Sequence, residues 1–174
     1  MLCCASPLGG GEVYFRCPIV KEIKPLQFIN FGKVKKIRGI AYSTRISPQT
    51  SNLVVEGCRS LLNPYLPDVY IYTDHYKGVE SGLSPGYGVS LVAETTSGAL
   101  LSAEESATAG VSPFDVGRTA ARLLLEEIYR GGCVDTQSQS LALLLMALSP
   151  PDVSKIRIGK LSPHTVNLLR LCFV

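Results

Sequence analysis

Ile37-Arg38-Gly39-Ile40-Ala41-Tyr42-Ser43-Thr44-Arg45-Ile46-Ser47-Pro48 reads as a strand that runs directly into a helix start. Alternation along it predicts one apolar face formed by Ile40, Tyr42, Thr44 and Ile46. Ser47 supplies an N-cap and Pro48 the first helical position, where a missing N–H costs nothing. The helix that follows carries Val54, Cys58, Leu61 and Leu62 on one stripe and stops at Asn63-Pro64. Next, the β-branched and aromatic run Val69 to Asp74 predicts a buried strand. Lys77 to Gly86, rich in Gly, Ser and Pro, reads as a loop. Tyr87 to Thr96 and Ala99 to Glu104 read as two strands joined at Ser97-Gly98. Ser112-Pro113-Phe114-Asp115 opens a second helix, with Val116, Ala120, Leu124 and Ile128 facing a core and Gly131-Gly132 closing it. The order β-α-β-β-β-α over 37–130 makes a complete two-layer α/β unit.

The flanks are less self-sufficient. Pro7-Leu8-Gly9-Gly10-Gly11-Glu12-Val13 is a glycine-rich turn entering an expected strand, Val13 to Cys17. The N–H groups of Gly9, Gly10 and Gly11 could cradle an anion, yet the spacing matches neither standard nucleotide-binding glycine pattern. Residues 21–36 read as a mixed, basic connection. Thr136 to Leu148 is a helix apolar on nearly every side, which predicts a central place in a core. A short strand at Ile156 to Ile158 and a helix opened by Ser162-Pro163 complete the chain. The expected organisation is therefore an intact central unit between two pieces of another domain.

Composition bounds the function classes. The chain has 174 residues, 46% of them hydrophobic and 18% charged, enough for a real core. The longest apolar run, Leu141 to Leu148, falls well short of the ~20 residues of a membrane span. No basic start followed by an apolar stretch marks a secretory signal, so a reducing compartment and free thiols are expected for the six cysteines. No C-x-x-C pair occurs, and His75 and His164 lack paired-ligand spacing, so no metal site is expected. Charge is segregated. Arg16 to Arg45 holds eight basic residues against one acid, a local +7, while the remainder carries −4. Such a stretch fits a phosphate-rich partner, and the candidate contacts are Lys33, Lys35, Lys36, Arg38 and Arg45. Tyr70 and Tyr72 fall on one strand face, where core packing is the expected use and base stacking the alternative.

Taken together, several stretches resemble the RNA 3′-terminal phosphate cyclases. Pro7 to Val13 is similar to their glycine motif, residues 33–130 to the insert domain that interrupts their core, and Val134-Asp135-Thr136-Gln137-Ser138-Gln139 with Leu144 to Leu148 to the returning core segment. Arg38 to Gln49, Leu66-Pro67-Asp68-Val69-Tyr70-Ile71-Tyr72-Thr73-Asp74-His75-Tyr76, Ser84 to Gly88, Gln139-Ser140-Leu141 and Asp152 to Lys155 are nearer to the eukaryotic cyclase-like branch. The resemblance covers residues 7–170. It implies an α+β or α/β fold: a fragment of a cyclase core, built of repeated helix-pair and four-stranded-sheet units, interrupted by an α/β insert domain. The implied boundaries are partial core 1–32, insert 33–130 and returning core 131–174.

The resemblance also carries functional expectations. True cyclases adenylate a histidine with ATP, pass AMP to an RNA 3′-phosphate and close a cyclic phosphate. The cyclase-like branch is regarded as lacking that activity and as serving small-subunit ribosome assembly in the nucleolus, with pre-rRNA, the processome and an assembly GTPase as partners. No cofactor is then expected; one alternative, an ATP- and magnesium-dependent cyclase, would use His164, which matches the nucleophile position and falls in the first turn of a helix, and a further alternative is a truncated, non-functional product. Against the cyclase alternative, Ser140 and Leu141 stand where the cyclases carry Asp-Gln beside the nucleotide. A leucine there leaves a buried polar group unpaired, at about 1–3 kcal/mol.

Overall fold

The computed structural model describes residues 14–172. Six strands and four α-helices follow one another as β1 (Gln27–Phe28), β2 (Val34–Thr44), α1 (Pro48–Leu62), β3 (Val69–Tyr76), β4 (Gly86–Thr95), β5 (Leu100–Ser106), α2 (Pro113–Arg130), α3 (Gln139–Ala147), β6 (Lys155–Ile156) and α4 (Pro163–Cys172). A single 3₁₀ turn, Gly78–Ser81, interrupts the loop after β3.

The central unit is a four-stranded sheet in the order β3-β2-β4-β5, with β3 parallel to β2 and the other pairs antiparallel. The Thr95 to Ala99 turn closes the expected hairpin, with Gly98 at φ +86°, a conformation glycine adopts freely. Helices α1 and α2 cover one face only. Ile37, Ala41, Ile71, Val89, Leu91 and Leu101 from the sheet meet Val54, Cys58, Leu62, Ala120 and Leu124 from the helices, all buried. Each fully buried Ile, Leu or Val side chain stabilises the fold by about 1.5–3 kcal/mol.

The covered face of β2 is the opposite of the one predicted. Ile37, Gly39, Ala41 and Ser43 point to the helices, while Ile40 lies 49% exposed on the other side. Residue size misled: a Cβ on Gly39 would sit 2.6 Å from the Leu91 side chain, so small residues of β2 make room for bulky ones of β4. The expectation of a buried β3 fails likewise. It is an edge strand with only Ile71 buried, and Tyr70 and Tyr72 stand 49% and 56% exposed on the uncovered face. Core packing of that tyrosine pair is thereby overturned.

Ser47 accepts the Gln49 N–H at 3.4 Å, with Pro48 in the first turn of α1. Ser112, expected to do the same for α2, makes no side-chain cap bond. The two helices cross in close contact at two glycines, Gly57 and Gly117. A Cβ on either would lie 2.1 Å from a carbonyl oxygen of the other helix.

Outside this unit, β1 pairs in parallel with β6, Gln27 beside Lys155 and Phe28 beside Ile156. β1 was missed within the expected basic connection. Residues 14–17 form no strand, since no ladder partner lies beside them among the described residues, and Tyr14 and Phe15 are exposed. Helix α3 does not sit inside a core: only Gln139 is buried, and Leu141 and Leu148 are 58% and 66% exposed. Among the described residues, its apolar surface meets little beyond α4.

The chain enters and leaves the central unit at one place. Thr96 N–H donates to the Lys33 carbonyl at 2.8 Å, and Leu100 bridges in parallel to Val134. Asp135, buried, ties this neck: its carboxylate accepts from Ser102 N–H (3.0 Å), Ser102 Oγ (2.7 Å) and Ser138 N–H (2.8 Å). Glu127 adds a second tie, accepting from Thr136 N–H at 2.9 Å and Thr136 Oγ1 at 2.7 Å, while Arg130 donates to it at 2.6 Å.

Candidate functional site

The expected basic residues separate into two places along β2. Lys33 and Lys35 are exposed at its start. Lys36 and Arg38 follow on the uncovered face, both already paired. Lys36 Nζ lies 2.8 Å from Glu94, and Arg38 grips Asp68 with two parallel bonds of 2.7 and 3.0 Å. Those cations hold the carboxyls of Asp68 and Glu94 below the usual carboxylate range, and Asp68 raises the Arg38 guanidinium in return. Arg45 is seven residues beyond Arg38, about 23 Å away at ~3.3 Å per strand residue. It turns back with φ +54°, its Nε donating to the Gly82 carbonyl at 2.6 Å. The five cations therefore make one cluster, Lys33 to Arg38, and one separate residue. Gly9, Gly10 and Gly11 lie outside the described residues.

His164 is exposed in the first turn of α4. That turn is held from beneath by Gln139. Its side-chain oxygen accepts from Ser162 N–H at 3.0 Å and Thr165 Oγ1 at 3.1 Å, and its nitrogen donates to the Lys160 carbonyl at 3.1 Å. Ser162 caps the helix by accepting the Thr165 N–H at 3.2 Å. Gln139 is fully buried, whereas the next residues, Ser140 and Leu141, are half-buried and exposed. Its role was not apparent in sequence, because a glutamine opening an apolar helix gives no local signal of its distant partners.

His75 lies at the other end of the sheet. Its Nδ1 is 2.8 Å from Ser43 Oγ, which accepts from Ser51 Oγ at 2.8 Å. Among the described residues no group of three His, Cys, Asp or Glu is placed to hold a metal ion, and no helix is long and apolar enough to cross a membrane. Cys17, Cys58 and Cys133 are free thiols; burial pushes Cys58 up to about 12.

The sequence pattern described as the RNA 3′-terminal phosphate cyclase (RTC) insert domain matches residues 29–129, more than half the chain. The chain belongs to the RNA 3′-terminal phosphate cyclase family. It is 61% identical over 169 residues to the human protein named RNA 3′-terminal phosphate cyclase-like protein, and 60% identical to its bovine counterpart. Each alignment covers 94% of this chain and 45% of the relative. It is 51% identical over 158 residues to the fission yeast rRNA processing protein rcl1, covering 90% of this chain and 44% of that protein. The chain thus spans about half the length of the curated relatives it matches. The mixed α/β architecture, a β-α-β-β-β-α insert flanked by core-like segments, is that of a cyclase-core fragment interrupted by its insert domain.

Proposed function

We propose that this chain acts in pre-rRNA processing for the small ribosomal subunit, in the nucleolus, without cyclising RNA ends. The observation that carries the reading is the 51% identity, over nine-tenths of the chain, to a protein named for rRNA processing. Pre-rRNA, the small-subunit processome and an assembly GTPase are the partners this role brings. In this reading residues 33–130 are the insert and 1–32 and 131–174 its core flanks. Lys33 and Lys35 are the leading phosphate contacts. Both are exposed, and neither side chain is held in an ion pair of the kind that binds Lys36 and Arg38. Arg45 would touch a separate phosphate, and the Gly9 to Gly11 turn would add backbone donors. No cofactor is required.

The test is depletion of the protein in its own cells followed by gel analysis of pre-rRNA. Accumulation of uncut small-subunit precursors, rescued by the wild-type chain and not by Lys33→Glu/Lys35→Glu, is the expected result. Normal precursor profiles after depletion would refute the reading.

A further inference from the structure

We infer that strand β3 and the uncovered sheet face beside it form a docking edge for an extended, basic polypeptide segment, which adds as a fifth strand next to β3.

β3 pairs with β2 alone, so its other edge has no strand beside it among the described residues. The carbonyls of Asp68 and Tyr76 accept from Ile37 and Arg45 of the β2 side. By strand alternation the N–H and C=O groups of Val69, Ile71, Thr73 and His75 then point outward. This eight-residue edge contains no proline and no lysine, the usual blunting devices. An open ladder of this kind is what an added peptide strand uses.

The face beside the ladder defines what the peptide carries. Tyr70 and Tyr72 stand edge to face, ring centroids 4.5 Å apart, both about half exposed. Ile40 is level with Tyr72 on β2, and Val92 is level with Arg38 on β4. Beyond the two ion pairs, the remaining charges on this face are the carboxylates Asp74 and Glu104, the first accepting from Tyr76 and the second from Ser90. Lys35, exposed at the start of β2, is the one cation on these strands outside those ion pairs. Away from the Lys35 end of β2 the unbalanced charge on this face is negative, which disfavours a phosphate backbone. An arginine side chain, in contrast, stacks on tyrosine and pairs with carboxylate. Alternate residues of an added strand share one face, so arginines at every second position would reach Tyr70 and Tyr72 together.

The experiment uses the full 174-residue chain and a twelve-residue peptide alternating Arg and Val, with a Glu-Val peptide and a twelve-nucleotide oligouridine as comparisons. Backbone amide exchange is followed residue by residue. The Arg-Val peptide is expected to slow exchange at Val69, Ile71, Thr73 and His75, leaving Tyr70 and Tyr72 amides as protected as before. Tyr70→Ser/Tyr72→Ser should weaken its binding about tenfold or more. Thr73→Pro removes one outward donor and leaves the β2 ladder intact, and should abolish the protection. Binding without protection at these four amides, equal binding of the Glu-Val peptide, or the same protection from oligouridine would overturn the inference. So would protection that rises with protein concentration alone, since the edge would then serve a second copy of this chain.

Discussion

Gly117→Ala pits two effects against each other with opposite signs. Helix propensity alone favours alanine by about 1 kcal/mol in a helix interior. The contact geometry opposes it. The new methyl would lie 2.1 Å from the Val54 carbonyl oxygen and 2.9 Å from the Cys58 nitrogen, where ordinary contact begins at 3.4 Å. Both obstacles are backbone atoms, so no rotamer change relieves the overlap, and α1 and α2 must part by more than about 1 Å. Parting them strains the bond from Cys58 Sγ to the Gly117 carbonyl, 3.3 Å long, and loosens Val54, Cys58, Ala120 and Leu124 at once. Overpacking of about 1–3 kcal/mol, added to these losses, outweighs propensity and gives a net destabilisation near 2 kcal/mol. For a chain of this size that is a fall in Tm of about 4–8 °C. Urea unfolding followed by circular dichroism measures it. Gly57→Ala should act the same way, its methyl 2.1 Å from the Phe114 carbonyl, and the double variant should cost less than the sum, because the first substitution already separates the helices. A Gly117→Ala protein as stable as the wild type would show that the close crossing is wrong.

Three further outcomes are expected. Asp135→Asn, measured by urea unfolding, should cost about 2–3 kcal/mol at neutral pH by leaving buried donors without a charged acceptor. Burial pulls the Asp135 carboxyl upward, but its hydrogen bonds from Ser102 and Ser138 outweigh that and leave it below its ordinary value. Its contribution is therefore full above the unfolded carboxylate range and fades as pH falls through the folded one, so the wild-type advantage over Asp135→Asn should shrink on acidification. Cys58, with its thiol pushed up to about 12, should resist iodoacetamide in the native chain while exposed Cys17 reacts; peptide mass mapping that finds native Cys58 alkylated would contradict its burial. Incubation with α-labelled ATP and magnesium should leave no acid-labile AMP adduct, and an adduct that disappears in His164→Ala would replace the assembly reading with the cyclase one.

Legibility in the sequence followed the range of the forces involved. Helix α1 could be read because Ser47, Pro48 and the Val54–Cys58–Leu62 stripe are local signals, and the Thr95 to Ala99 turn because glycine at positive φ is a local need. Which face of β2 is buried depends on what packs against it. Gly39 and Ala41 are buried because Leu91 and the helices take up the space, and no property of β2 alone says so. The same applies to β3, whose composition is that of a buried strand although one edge and one face are open. At the candidate site the basic residues were visible one by one. Their pairing with Asp68 and Glu94 was not, since those partners come from the loop before β3 and from β4.

The parallel pairing of β1 with β6 bears on the order in which the chain assembles. Leu26 N–H reaches Ser154 Oγ across 128 residues of sequence. A parallel pair needs a crossover of a dozen residues or more, and here the central unit is threaded into that crossover ahead of α3. Because the chain passes in and out at the neck around Thr96, Leu100 and Val134, a folded insert shortens the effective loop to about 30 residues, roughly two halvings, which lowers the closure entropy by about 1.2 kcal/mol. The insert thus acts as an internal splint: once it has formed, the two core strands on either side of it are delivered to each other, and a contact between residues far apart in sequence becomes a nearly local one.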